Sequence, residues 1–241
     1  MTIHRIAVAG RKGGVGKTTI ACGLASIFAH QRKRVLIIDL DPQSNVAFGF
    51  GLNLSAPGTA QFLTGDPPTG EKASDFIVVY PGGTSLERND VMDLPRNTLA
   101  YKVEELSDFD VIIYDCPPGI SAMEDLAMSA ANTALIVTDA HPYSLLGAIR
   151  IQNQLSNDIQ NGLCHVTRKA VVLSKINKTR SIDRAVPETI PKHFPNTPYV
   201  SIPQDAGLYN ATASQTNIME HTPQSKGVQS LIKLAKWITN G

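Results

Sequence analysis

Residues 12–19 read Lys12-Gly13-Gly14-Val15-Gly16-Lys17-Thr18-Thr19, and the reading of this octapeptide decides the fold. It has the makings of a phosphate-binding loop, but with a second lysine ahead of its paired glycines. The ordinary pattern, Gly-x-x-x-x-Gly-Lys-Ser/Thr, requires a glycine at position 11, where this chain has Arg11. The flanks supply the expected context. Ile6-Ala7-Val8-Ala9 is a short apolar run broken by Gly10, and Thr18 to Ala29 repeats apolar residues at helical spacing. Strand, glycine loop and helix in that order distinguish a phosphate loop from a glycine-rich turn after an edge strand. Gly13, Gly14 and Gly16 allow the backbone to approach phosphates with its N–H groups turned inward. The helix beginning near Lys17 adds the positive end of its dipole. Lys17 is then placed for the β- and γ-phosphates and the Thr18 hydroxyl for Mg²⁺. Lys12 has no work inside such a loop and is expected to project outward, toward a partner.

Two further segments repeat one design. Arg34-Val35-Leu36-Ile37-Ile38-Asp39-Leu40-Asp41-Pro42-Gln43 is an apolar run ending in two acids. Four consecutive apolar residues suit a strand covered on both faces of a parallel sheet. Its acids fall at the carboxyl end, where open α/β sheets bind ligands. Phe109-Asp110-Val111-Ile112-Ile113-Tyr114-Asp115 does the same, followed by Cys116-Pro117-Pro118-Gly119. Asp115 is a candidate for holding Mg²⁺ through water, because Mg²⁺ gives up its hydration reluctantly.

Lys12 to Thr19, with Asp39-Leu40-Asp41-Pro42-Gln43 and the Asp115 segment, resembles the ParA/MinD family of partitioning and positioning ATPases, in its short ParA-like form. The resemblance implies that Lys12 crosses a homodimer in which ATP is sandwiched and touches the phosphates of the other subunit. There it would act like an arginine finger supplied in trans. It implies ATP and Mg²⁺ as ligands, with Lys12, Lys17 and Asp41 as the catalytic set and Asp41 positioning the attacking water. Arg11, Lys12, Gly13, Gly14, Val15, Gly16, Lys17, Thr18 and Thr19 would form the phosphate cradle, and Thr18, Asp39 and Asp115 the Mg²⁺ surroundings. Asn177 and the segment Pro203, Gln204 and Asp205 fall where the family borders the adenine. The implied function is positioning of a cargo, such as a plasmid, a chromosome origin or a protein assembly. Non-specific DNA binding and a ParB-like or other small adaptor that stimulates hydrolysis complete the expectation.

The sequence departs from the family in one place. Many chromosomal ParA-like proteins carry arginines for DNA just after the Ile-Pro pair, whereas here Ile202-Pro203 is followed by Gln204-Asp205-Ala206-Gly207-Leu208. Net charge is +1, but residues 161–241 carry ten Lys/Arg against four Asp/Glu. Lys175, Lys178, Arg180 and Arg184 are therefore the candidate DNA residues, since clustered charge suffices for phosphate backbone. Arg168-Lys169, Lys226, Lys233 and Lys236 add to the same half.

The 241 residues alternate strand-like and helical runs, which predicts one α/β domain over 1–241 with a mostly parallel sheet of seven or eight strands and helices on both faces. Runs at 76–80, 134–138 and 170–173 read as strands. Runs at 59–64, 97–106, 121–131 and 144–156 read as helices. Resemblance is weakest over 53–75. Met1 to Arg5 lead into the first strand without a signal peptide or a preceding helix-turn-helix, and no apolar run reaches the ~18 residues of a spanning helix. Cys22, Cys116 and Cys164 are too few and scattered for a disulfide framework or a paired cluster site. The expected location is cytoplasmic and nucleoid-associated. The final helix, with Val228, Leu231, Ile232, Ala235 and Ile238 at helical spacing beside three lysines, reads as core. The alternative is the lipid-binding helix of a MinD-like membrane-associated protein.

Overall fold

A computed structural model describes residues 3–66, 70–119 and 121–240; Met1 and Thr2, read above as leading into the first strand, lie outside them. The chain runs β1 (His4–Ala9), α1 (Lys17–His30), β2 (Val35–Asp39), α2 (Asn45–Gly49), α3 (Thr59–Thr64), β3 (Glu71–Ser74) and β4 (Ile77–Tyr80). It continues with α4 (Asn89–Met92), α5 (Thr98–Glu104), β5 (Val111–Asp115), α6 (Ala122–Ala130), β6 (Thr133–Thr138), α7 (Pro142–Gln160) and β7 (Arg168–Ile176). It ends with α8 (Ser181–His193), β8 (Tyr199–Pro203), α9 (Ala206–Ala213), α10 (Ile218–His221) and α11 (Lys226–Thr239).

The strands form one eight-stranded sheet in the order β3-β4-β2-β5-β1-β6-β7-β8, at the upper end of the expected range. Every pairing is parallel except β3 with β4. Each apolar run alternates between two cores. Ile6, Val8, Ile37 and Ile113 face the layer of α1 and α11, while Ala7, Leu36, Ile38 and Ile112 face the layer of α5 to α8. Burial of both faces explains why these strands read as continuous apolar runs.

The strand order reverses around β1, since β2 lies to one side of it and β6 to the other. Ligand sites in open α/β sheets gather at such a point, outside the carboxyl ends of the strands. Register completes the arrangement: Val8 and Asp39 both align with Asp115. The phosphate loop and both acid motifs therefore emerge side by side.

The last helix belongs to the core. Val228, Leu231, Leu234, Ala235 and Ile238 are buried, and α11 lies so close to α1 that a Cβ at Gly23 would sit 2.6 Å from Leu231 Cδ1. Its apolar stripe is covered by α1 and the sheet. No helix among the described residues is long and apolar enough to cross a membrane.

Candidate functional site

The loop between β1 and α1 takes the shape a phosphate cradle needs. Gly14 and Gly16 adopt φ of 74° and 97°, a left-handed region that residues with a Cβ enter at a cost. No atom lies within 4 Å of the positions a Cβ would take at Gly13 or Gly14, so the loop backbone opens onto free space. Gly10 is required for a different reason: its Cβ would meet the Val137 carbonyl oxygen at 2.6 Å. Helix α1 then starts at Lys17, itself only 6% exposed.

Beneath the loop the Thr18 hydroxyl donates to Asp115 Oδ2 at 2.6 Å, and Asp115 Oδ1 is buried without a hydrogen-bond partner. Burial pushes the Asp115 carboxyl up to about 7, partly offset by Thr18 and Lys17. A buried acceptor without a partner requires an explanation, and a hydrated cation between Asp115 and Thr18 would supply one. Among the described residues no three His, Cys, Asp or Glu side chains gather into a cage. The Thr18 hydroxyl and the unpartnered Asp115 oxygen are hard oxygen donors that fit Mg²⁺ completed by phosphate oxygens and water, the usual mode for that ion.

Asp39 plays a different part. It is fully buried, and its Oδ1 and Oδ2 accept from the backbone N–H groups of Asp41 (3.0 Å) and Val46 (3.1 Å). Burial and the neighbouring Asp115 raise its carboxyl well above the ordinary range. Asp39 thus shapes the 39–46 turn and seats α2. Asp41, 7% exposed, accepts from the Gln43 N–H at 2.9 Å and borders the cavity above the loop.

That cavity, of about 430 Å³, adjoins a second of about 610 Å³; Gly16, Thr19, Lys175 and Thr212 line both. The first is walled by the loop with Asp41, Asn45 and Pro118. The second has apolar walls from Ile20, Ile202, Leu208 and Leu231, with Pro203 and Gln204 at its border. A polar end joined to an apolar slot matches the division of a nucleotide into phosphates and base.

Four further expected site residues, besides Asp39, behave differently from their sequence reading. Arg11 turns its side chain away from the loop: the guanidinium reaches Glu124 Oε1 (3.3 Å) on α6 and Gln154 Oε1 on α7. Gly147 on α7 leaves room for it: a Cβ there would lie 3.2 Å from the Arg11 Cβ. Asp205 borders the second cavity, but its Oδ1 caps α9 through Gly207 and Leu208 and its Oδ2 accepts from the Gly227 N–H at 2.7 Å. With both oxygens engaged in joining α9 to α11, it offers a base little. Asn177 folds its Oδ1 onto the N–H and hydroxyl of Thr179 and lines a neighbouring groove rather than either cavity. Lys175 borders one groove together with Arg180, but its ammonium is turned to the phosphate loop, with Nζ 2.6 Å from the Gly14 carbonyl oxygen.

Lys12 is caught within its own chain, its Nζ 2.9 Å from Asp139 Oδ2. Burial would raise the Asp139 carboxyl, but hydrogen bonds from Lys12 and the His141 N–H hold it below its usual value. The remaining basic candidates are exposed, with Arg184 donating to the carbonyls of Lys178 and Thr179. Arg168 is not free for a ligand: it donates to the Trp237 and Ile238 carbonyls and lies 4.4 Å from the Trp237 ring centroid. Ser174 and Thr212 join the site although nothing local in the sequence marks them, since only the β7 and α9 geometry brings them there.

Comparison with known proteins agrees with this architecture. Residues 6–218 match the family model described as the CobQ/CobB/MinD/ParA nucleotide binding domain. The chain is 30% identical over 237 residues to the chromosome-partitioning ATPase Soj of Thermus thermophilus, covering 97% of this chain and 94% of that one. Among solved structures, a single-residue variant of Cyanothece McdA in complex with ATP superposes with a TM-score of 0.87 at 20% identity, over 99% of this chain and 96% of that one. The septum site-determining protein MinD of Pyrococcus horikoshii, complexed with Mg-ADP, gives 0.81 at 22% identity, again over 99% and 96%.

Proposed function

The chain belongs to the CobQ/CobB/MinD/ParA family of nucleotide-binding domains and is an ATPase of the ParA/MinD kind, and from that premise we propose that it is an ATP-driven switch that positions a cargo. In this reading ATP spans the two adjoining cavities, with its phosphates on the loop from Gly13 to Thr19 and its base in the slot between Ile20 and Leu231. Mg²⁺ is held by Thr18 and, through water, by Asp115. Asp41 orients the attacking water. The observation that supports this most is the convergence of three strand ends, β1, β2 and β5, on one cavity floored by the Thr18–Asp115 contact.

Two chains then close around ATP, with Lys12 leaving Asp139 to neutralise charge on the partner's phosphates. The dimer holds non-specific DNA through Lys178, Arg180 and Arg184, and a small adaptor protein speeds hydrolysis and releases it. The Soj relative, a chromosome-partitioning ATPase by name, supports DNA as the surface. The burial of the apolar stripe of α11 argues against a lipid surface.

Retention on non-specific duplex DNA with ATP, compared with ADP, tests the reading, with anionic liposomes run in parallel. ATP-dependent DNA retention that falls steeply with salt is expected. Binding to liposomes and not to DNA would overturn the choice of surface. Asp41→Ala should lower phosphate release at least about 100-fold while leaving ATP bound, and wild-type turnover would remove Asp41 from the mechanism.

A further inference from the structure

Lys175 departs from its surroundings in two respects. Its backbone has φ of 55°, a left-handed conformation that a lysine adopts only under strain and that tends to occur at functional sites. It also sits where the pairing of β7 with β8 shifts register, between Leu173 and Ile176. At this irregularity the chain ties itself to the phosphate loop at two points. The Lys175 ammonium donates to the Gly14 carbonyl oxygen at 2.6 Å, and the Ser174 hydroxyl donates to the Val15 carbonyl. Lys175 is at the same time one of the four residues lining both cavities.

We propose that Lys175 is a further lysine of the nucleotide site, engaging the phosphates nearest the sugar of a nucleoside di- or triphosphate. The proposal rests on the ATPase reading above. A ligand with its terminal phosphates on the loop and its base in the apolar slot passes its sugar-proximal phosphates through the seam between the two cavities. Lys175 is the charged residue at that seam. An ammonium has three donors, and the Gly14 carbonyl takes one of them, so two remain for phosphate oxygens without loss of the loop contact. Lys17 sits at the start of α1 and Lys12 is held by Asp139, which leaves this stretch of the ligand to Lys175.

Titration calorimetry with ADP and with a slowly hydrolysed ATP analogue tests the assignment. Lys175→Gly is the informative variant, because glycine suits a φ of 55° and removes the ammonium without straining the backbone. Loss of a charge-assisted hydrogen bond should raise Kd roughly ten-fold for both nucleotides. Lys175→Arg should restore most of that affinity, and the nucleotide-free melting temperature of Lys175→Gly should equal or exceed that of wild type. The salt slope of DNA retention should be unchanged in Lys175→Gly. Wild-type ADP affinity in Lys175→Gly, or a salt slope reduced by about one charge with nucleotide affinity intact, would overturn the proposal. A wild-type chain that binds neither nucleotide would overturn the ATPase reading itself, and this assignment with it.

Discussion

Lys12 and Asp139 form an ion pair inside one chain, Nζ to Oδ2 2.9 Å apart, between side chains 39% and 20% exposed. The lysine expected to serve a second subunit is thus held at home by a carboxylate at the end of β6. A partly exposed pair of this kind is worth at most about 1 kcal/mol, enough to bias Lys12 without trapping it. Asp139→Asn removes the competitor. It should strengthen the ATP-dependent dimer by up to about five-fold, read from sedimentation at several protein concentrations. A dimer constant that is unchanged or weaker would show that Asp139 does not compete for Lys12.

Arg11 and Glu124 connect the phosphate loop to α6, and the pair is nearly dry, with side chains 11% and 4% exposed. Arg11→Ala would leave the Glu124 carboxylate buried without its partner and should cost about 3 kcal/mol of stability, measured by urea unfolding. The pH dependence has a definite sign. Burial raises the Glu124 carboxyl above its ordinary value of 4.5, with Arg11 opposing the shift. Between the unfolded and folded values the folded chain holds a proton that the unfolded chain has lost, so this group's contribution to stability falls as pH rises above about 4.5. Glu124→Gln should flatten that part of the profile, its stability gaining on wild type from pH 5 upward. A constant difference between the two proteins would contradict the assignment.

Asp205 holds the starts of α9 and α11 together through three backbone N–H groups. Asp205→Ala should therefore lower stability by about 2 kcal/mol, the upper range for loss of a helix cap. Below its melting transition it should retain ADP affinity close to wild type. Weakened binding with an unchanged melting temperature would return Asp205 to the base site.

The motifs were legible because each is local. A loop between an apolar run and a helical repeat, and two apolar runs ending in acids, place Lys17, Thr18, Asp39, Asp41 and Asp115 without any knowledge of the sheet. Residues whose role depends on distant packing were not legible. Arg11 meets partners 113 and 143 positions away, and Lys175 reaches the loop only because β7 leaves its register. Strand β3 escaped notice because Glu71-Lys72-Ala73-Ser74 is a short edge strand with two charges and no apolar alternation. Helix α8 escaped because it carries Pro187 and Pro191, which normally interrupt a helix. The expected strand at 170–173 and helix at 144–156 proved longer, Arg168–Ile176 and Pro142–Gln160. The added turn before Ser144 begins at Pro142, whose fixed φ suits the first helical position, with His141 capping the Tyr143 N–H.

The central claim is that ATP joins two chains through Lys12. Light-scattering mass of wild type and of Lys12→Ala, each saturated with ATP and Mg²⁺ and each verified to bind nucleotide, tests it most directly. The account predicts that wild type doubles in mass with ATP and not with ADP, while Lys12→Ala binds ATP and remains a monomer. A Lys12→Ala protein that dimerises with ATP as fully as wild type, or a wild type that stays monomeric with ATP bound, would contradict it.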